Sequence, residues 1–201
     1  MQAPLSAPKK QPPKRSAADP VFSPAFYRPY ALAVETALFM LGSARSRLVK
    51  QTGEDVRCIT YRLKSPSSIR GKLIKKGLPV CEETARAALH DIAGLRVVFS
   101  GEKQVYCFAE LLCTSPLARV LSEKDYIAEP KPSGYRSLHL VLSIPVRLHS
   151  QSLMVPVEIQ LRTAAMDMWA SIEHDMVYKP DAARIDSVPL PGAQSGITMK
   201  A

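Results

Sequence analysis

Between residues 30 and 179 the apolar positions change period several times, and each change predicts an element. Residues 30–53, YALAVETALFMLGSARSRLVKQTG, carry apolar side chains at helical spacing, with Leu32, Thr36, Phe39 and Met40 expected on one side. Residues 56–64, VRCITYRLK, alternate as a strand does. The next segment, SPSSIRGKLIKKG, opens on Ser65 as an N-cap with Pro66 at the first helical position, and it stops at Gly77. CEETARAALHDIAG, at 81–94, predicts a second helix closed by Gly94, followed by the strand GLRVVFS and a helix around 102–114. SLHLVLSIPV (137–146) and LMVPVEIQL (153–161) are strongly alternating strands joined by the polar turn RLHSQS. RTAAMDMWASIEHDMVYK closes the series as a helix, with Ala165, Met168, Trp169, Ile172 and Met176 as its expected core stripe.

Helices and strands in mixed order, with two strands joined by a short turn, predict an α+β domain: a mixed, largely antiparallel β-sheet flanked by helices. Residues 1–29 are rich in proline, and 180–201 show no helical period, so both read as tails around one domain at 30–179. Neither GxGxxG nor GxxxxGK[ST] occurs, which excludes a Rossmann fingerprint and a P-loop.

Charge adds a candidate partner. The net charge is +9, and Lys9, Lys10, Lys14, Arg15 and Arg28 against Asp19 supply four of those charges before residue 30. Such a basic segment suits a polyanion, which makes RNA contact through the N-terminal tail an expectation. No stretch approaches the roughly 18 uninterrupted apolar residues of a membrane span, so no membrane contact is expected. Cys58, Cys81, Cys107 and Cys113 form no CxxC pair, and no apolar block follows the basic start. The expected setting is therefore cytoplasmic, with reduced thiols.

Alternation also sorts the chemistry. In 137–146, Leu138, Leu140, Leu142 and Ile144 take one face, leaving Ser137 and His139 on the other. In 153–161, Val155, Val157, Ile159 and Leu161 share a face, opposed by Glu158, Gln160 and then Arg162. If these strands pair with their apolar faces on a common core, His139 and Glu158 share a polar one. Arg62 and Lys64 point the same way, and Ser68, Lys72 and Lys75 fall on one helical stripe. Asp91 comes three residues before a strand from which Arg96 projects opposite Leu95 and Val97. The loop EPKPSGYRSLH, at 129–139, adds Tyr135 after Pro130 and Pro132, which restrict the loop, and Gly134, which lets it turn close to a ligand. Phosphoryl chemistry needs this inventory: cations offset phosphate charge, carboxylates hold Mg²⁺, and one carboxylate orients a hydroxyl nucleophile.

YRLKSPSSIRGKL, HDIAGLRVV, DYIAEPKPSGYRSLHLVL, VEIQLRT and MDMWASIEHDMVYK, five motifs in order, together resemble the RelA/SpoT-type alarmone synthetase domain in its small, single-domain form. The resemblance implies a nucleotide cleft above the polar sheet face. It also implies GTP pyrophosphokinase activity: the β,γ-pyrophosphate of ATP passes to the ribose 3′-hydroxyl of GDP or GTP, giving (p)ppGpp and AMP, with Mg²⁺ as cofactor. Carried across, Arg62, Lys64, Ser68 and Lys72, with Lys75 beside them, bind ATP. Asp91 and Glu158 are the catalytic pair that holds Mg²⁺, and Glu158 also activates the 3′-hydroxyl. Tyr135 stacks on guanine, while Lys131, Ser133 and His139 complete the guanosine loop and its phosphate contacts. Arg96, Lys124, Gln160 and Glu173 line the cleft wall. Small members of the family usually continue past Tyr178 and Lys179 with helices that help build a tetramer; here a proline-rich segment follows, and a homo-oligomer is carried only as an expectation. Two alternatives stay open: a toxin-type relative that pyrophosphorylates tRNA or makes adenosine alarmones, and a non-catalytic RNA-binding module.

Overall fold

The structure, a computed structural model, describes residues 22–148 and 150–177. In chain order the elements are α1 (Pro24–Thr52), β1 (Cys58–Leu63), α2 (Pro66–Lys75), α3 (Glu82–Ala88), β2 (Ala93–Phe99), α4 (Glu102–Cys113), β3 (Arg119–Asp125), β4 (Leu138–Leu148), β5 (Gln151–Thr163) and α5 (Ala164–Val177). The strands form one sheet in the order β1-β2-β5-β4-β3. Among the described strands only β2 and β5 run parallel; the other three pairings are antiparallel, as expected of a mixed, largely antiparallel sheet. No described helix is long and apolar enough to cross a membrane.

The apolar sheet face is the one the alternation predicts. Leu138, Leu140, Leu142, Ile144, Val157, Ile159 and Leu161 are all 0% exposed and join Ala33, Val34, Ala37 and Leu41 of α1 and Phe108 of α4 in one core. Burying each large side chain contributes about 1.5–3 kcal/mol. Small residues on α1 let that long helix lie close across β2, β4 and β5. Its buried stripe runs through the alanines rather than through Phe39, which is 71% exposed against the expected pattern.

Four further expectations change. First, α1 begins at Pro24, so residues 22–29 belong to the domain and not to a tail. Ser23 caps the helix by accepting the Phe26 N–H, and Pro24 takes the first helical position, where its missing N–H is harmless. Phe22, Phe26, Tyr27 and Tyr30 are buried there as a ring cluster, with Phe26 5.2 Å from Phe22 and 5.5 Å from Tyr30. The rest of the expected N-terminal tail, residues 1–21, and the expected C-terminal tail, 180–201, lie outside the described residues.

Second, α3 is short. Leu89 leaves it in extended conformation, Leu89 and Ile92 are buried at 1% and 0%, and Gly94 lies inside β2 instead of ending a helix. Asp91 therefore sits in a pinned connection between α3 and β2. Third, β3 is an unexpected edge strand. Its sequence RVLSEKD is mostly polar, and a register shift between Val120 and Ser122 interrupts its alternation. Fourth, the apolar stripe of α5 is not core: Met168, Trp169 and Ile172 are 64%, 45% and 43% exposed, and the buried residue of that turn is Met166. The Met176 side chain lies outside the described residues.

Candidate active site

Sheet register lays out the polar face. Thr60 pairs with Arg96, Arg96 with Gln160, Gln160 with His139, and His139 with Lys124. Directly paired residues share a face, so these side chains form one row across all five strands. Glu158 stands two residues along β5 from Gln160 and pairs with Gly94, which puts no side chain between it and the connection carrying Asp91. Arg62, Asp91, Arg96, Glu158 and Gln160 line one cleft.

On one side of the cleft, Lys64 Nζ and Lys72 Nζ both donate to Asp91 Oδ2, at 2.8 and 2.6 Å. Lys64 is fixed where β1 ends by its backbone N–H on the Ile92 carbonyl, 2.8 Å away. Lys72 projects from α2, whose start is secured by the predicted Ser65 cap and Pro66. Burial pushes the Asp91 carboxyl up, but the two ammonium groups outweigh it and hold the group below the usual carboxylate range. Asp91 Oδ1 is buried and has no hydrogen-bond partner. An oxygen in that state costs free energy unless a ligand satisfies it.

At the centre, Glu158 Oε1 lies 3.2 Å from His139 Nδ1, and Gln160 Nε2 donates to Oε2 at 2.8 Å. Burial again raises this carboxyl, and the bonds from His139 and Gln160 prevail and lower it, with nearby Asp91 acting in the opposite sense. Arg96 pairs through Nη1 with Asp167 at 3.1 Å and leaves its buried Nε without a partner.

The third part is the loop between β3 and β4. Gly134, at φ +80°, donates its N–H to the Lys131 carbonyl and closes the turn. Lys131 Nζ sits 4.6 and 4.5 Å from the ring centroids of Tyr126 and Tyr135. The Tyr135 hydroxyl is 2.8 Å from His139 Nε2 and accepts from Arg162 Nη2. From α5, Trp169 Nε1 donates to the Ser133 carbonyl at 3.3 Å, and its indole stands against Gly134.

Of the residues expected from the sequence, Lys64, Lys72, Asp91, Arg96, Lys131, Tyr135, His139, Glu158 and Gln160 converge, and Arg62 lines the cleft. Lys124 shares the His139 row but is exposed. The Ser68 hydroxyl is taken by Ser65 Oγ at 2.9 Å, Lys75 is exposed at the end of α2, and Glu173 lies on α5 outside the hydrogen-bonded cluster. Arg162, Asp167, Tyr126 and Trp169 enter the site without having been assigned to it. Alternation places Arg162 on the polar face, yet its burial to 4% exposure beside α5 is a tertiary effect.

No group of three or more His, Cys, Asp or Glu gathers among the described residues. Two carboxylates, one with an unpartnered buried oxygen, form a hard and incomplete donor set. That fits Mg²⁺, which keeps water and phosphate oxygens as its remaining ligands, better than a cation needing an all-protein cage.

Residues 61–183 match the profile of the family described as a region found in RelA / SpoT proteins. The GTP pyrophosphokinase YwaC of Bacillus subtilis is 44% identical over 118 residues, which cover 59% of this chain and 56% of that protein. The GTP pyrophosphokinase YjbM of the same organism is 38% identical over 156 residues, covering 77% and 72%. The match thus spans little more than half of the first relative and nearly three quarters of the second. The crystal structure of small alarmone synthetase 1 from Bacillus subtilis, bound to its product pppGpp, superposes with a TM-score of 0.69 at 36% identity, covering 76% of this chain and 77% of that one.

Proposed function

The chain belongs to the RelA/SpoT family, and on that premise we propose that it is a GTP pyrophosphokinase that transfers the β,γ-pyrophosphate of ATP to the 3′-hydroxyl of GDP or GTP. One observation carries the reading most directly: Asp91 and Glu158 line a single cleft between a lysine pair and a tyrosine-bearing loop. Lys64, Lys72 and Arg62 bind the ATP phosphates, with Ser68 and Lys75 flanking them on α2. Arg96, with its unpartnered buried Nε, donates to a phosphate oxygen. Tyr135 stacks on the guanine, and base stacking on an aromatic ring is worth about 1–3 kcal/mol. Lys131, Ser133 and Lys124 complete the guanosine side, and Glu173 borders it.

In the reaction, Glu158 accepts the proton of the 3′-hydroxyl. The freed oxygen attacks the β-phosphorus, and the bond from that phosphorus to the oxygen bridging it to the α-phosphate breaks, releasing AMP. Asp91 and Glu158 would hold Mg²⁺, which would supply charge neutralisation to the phosphates. A positioned general base contributes about 10²–10⁴-fold, so Glu158→Gln should bind both nucleotides and turn over slower by a factor in that range. The substrates and the free thiols of Cys58, Cys81, Cys107 and Cys113 suit a cytoplasmic setting.

The test offers ATP labelled at the γ-phosphate to GDP, GTP, ADP and tRNA in parallel, with Mg²⁺. Label on guanosine nucleotides, with equimolar AMP, is expected. Label on tRNA alone, on ADP alone, or on no acceptor would overturn the proposal.

A further inference from the structure

The hydrogen bonds around Glu158 begin at one guanidinium. Arg162 is 4% exposed and held in place on both sides, through Nη1 on Asp167 at 3.2 Å and through Nε on Ser137 Oγ at 3.3 Å. Its Nη2 donates to the Tyr135 hydroxyl and, at 2.8 Å, to Gln160 Oε1. Arginine has donors only, so both partners must present acceptor atoms to it, and this fixes the polarity of everything beyond them.

The first arm runs through Gln160. With Oε1 facing Arg162, the amide must turn Nε2 outward, and Nε2 donates to Glu158 Oε2 at 2.8 Å. The second runs through Tyr135 and His139. The tyrosine oxygen accepts from Arg162, leaving its hydrogen for His139 Nε2, 2.8 Å away. In a neutral imidazole the proton then sits on Nδ1 and is donated to Glu158 Oε1 at 3.2 Å. The opposite tautomer would set a bare ring nitrogen against a carboxylate oxygen, two acceptors face to face. Each carboxylate oxygen is thereby held by one donor and keeps a lone pair for other partners.

We propose that Arg162 is a positioning residue that orients both oxygens of the Glu158 carboxylate through two hydrogen-bonded arms, Gln160 on one side and Tyr135–His139 on the other, so that Tyr135 serves the reaction through its hydroxyl as well as its ring. The guanosine-binding loop and the proton acceptor are then one connected unit, and a displaced Tyr135 leaves Glu158 misaligned. This inference rests on the reading of Glu158 as proton acceptor.

Tyr135→Phe is the main test, because it keeps the stacking ring and removes one oxygen. At saturating Mg²⁺ and ATP, its KM for GDP should stay within about threefold of the wild type, while kcat falls about 10–100-fold, the usual effect of losing a partner that orients a functional ligand. Arg162→Met should lower kcat further, and adding Tyr135→Phe to it should cost little more, since the arm is already broken. If Arg162→Met melts early, Tyr135→Phe decides alone. A second readout needs no turnover: ¹⁵N-histidine NMR of the free full-length protein, with His139 assigned by loss of its signals in His139→Asn. Nδ1 should be the protonated nitrogen in the wild type, and the Nε2–H form should appear in Tyr135→Phe. A kcat for Tyr135→Phe within twofold of wild type, or a wild-type His139 protonated on Nε2 alone, would overturn the proposal. Should the wild type label no acceptor at all, the functional reading fails, and the tautomer measurement still decides whether the arm exists.

Discussion

Replacing Gly134 by alanine perturbs the acceptor loop by one methyl group. The backbone there stands at φ +80°, where an L side chain costs about 1–2 kcal/mol. The new Cβ would lie 3.4 Å from Trp169 Nε1 and 3.6 Å from Cε2 and Cζ2. Those separations are near ordinary contact, so the backbone term dominates. If the strain is felt when the loop must hold its shape around a guanosine nucleotide, KM for GDP or GTP rises about 5–30-fold, at 1.36 kcal/mol per decade. The KM for ATP should not move, because Lys64 and Lys72 lie on separate elements. Gly53→Ala provides the control. It has φ +74°, nothing within 4 Å of an added Cβ, and a place at the end of α1 away from the cleft. Its strain should appear as a lower melting temperature, about 2–4 °C per kcal/mol for a chain of this size, with unchanged kinetics. Initial rates at saturating ATP and varied acceptor, beside thermal melts, separate the two variants. An unchanged acceptor KM in Gly134→Ala, or an equal rise in Gly53→Ala, would refute the reasoning.

Three further outcomes are expected. Trp169 is the chain's single tryptophan and donates to the Ser133 carbonyl, so intrinsic fluorescence should change on adding GDP but not on adding a non-hydrolysable ATP analogue; identical responses to both would contradict the placement of the loop. Phe26→Ala should cost about 3–5 kcal/mol in denaturant unfolding, since the ring is fully buried, whereas a loss below about 1 kcal/mol would return residues 22–29 to the tail. The folded Asp91 carboxyl lies below its unfolded value of about 3.9. Its pairing with Lys64 and Lys72 therefore adds stability that is present above that pH and lost as pH falls through the folded value. In metal-free protein, Asp91→Asn should show a shallower acid limb of stability than the wild type, and superimposable limbs would count against the pairing.

Much of the site was legible because strand alternation is a rigid rule. Once β4 and β5 pair through Leu140 and Ile159, His139 and Glu158 must stand on the opposite face, as they do. The Ser65 cap and Pro66 likewise fixed where α2 starts, and with it the side from which Lys72 projects. What escaped depends on tertiary contact. The stripe on α5 has the spacing of a core face, but in its first turn Met166 is buried and Asp167 pairs with Arg96, while Trp169 leans on Gly134. β3 escaped because an edge strand with charges and a bulge carries no clean period. Prolines before residue 30 looked like disorder, although Pro24 is a helix start whose neighbours bury aromatic rings. Arg162 is an ordinary surface cation by alternation alone; only its anchorage by Asp167 and Ser137 reveals its role.

Among the described strands, the one parallel junction, β2 beside β5, divides the cleft along the chain itself. On the proposed reading, the donor-side residues Arg62, Lys64, Lys72 and Asp91 come from 62–91 and the acceptor-side residues Lys131, Tyr135 and His139 from 131–139, with β5 between them. Tyr135 and His139 on the acceptor side hydrogen-bond to Arg162 and Glu158 of β5, so recognition of the acceptor and placement of the carboxylate are tied together. Retargeting this scaffold to a different hydroxyl-bearing molecule would therefore mean reshaping the β3–β4 loop, β5 and α5 as one unit.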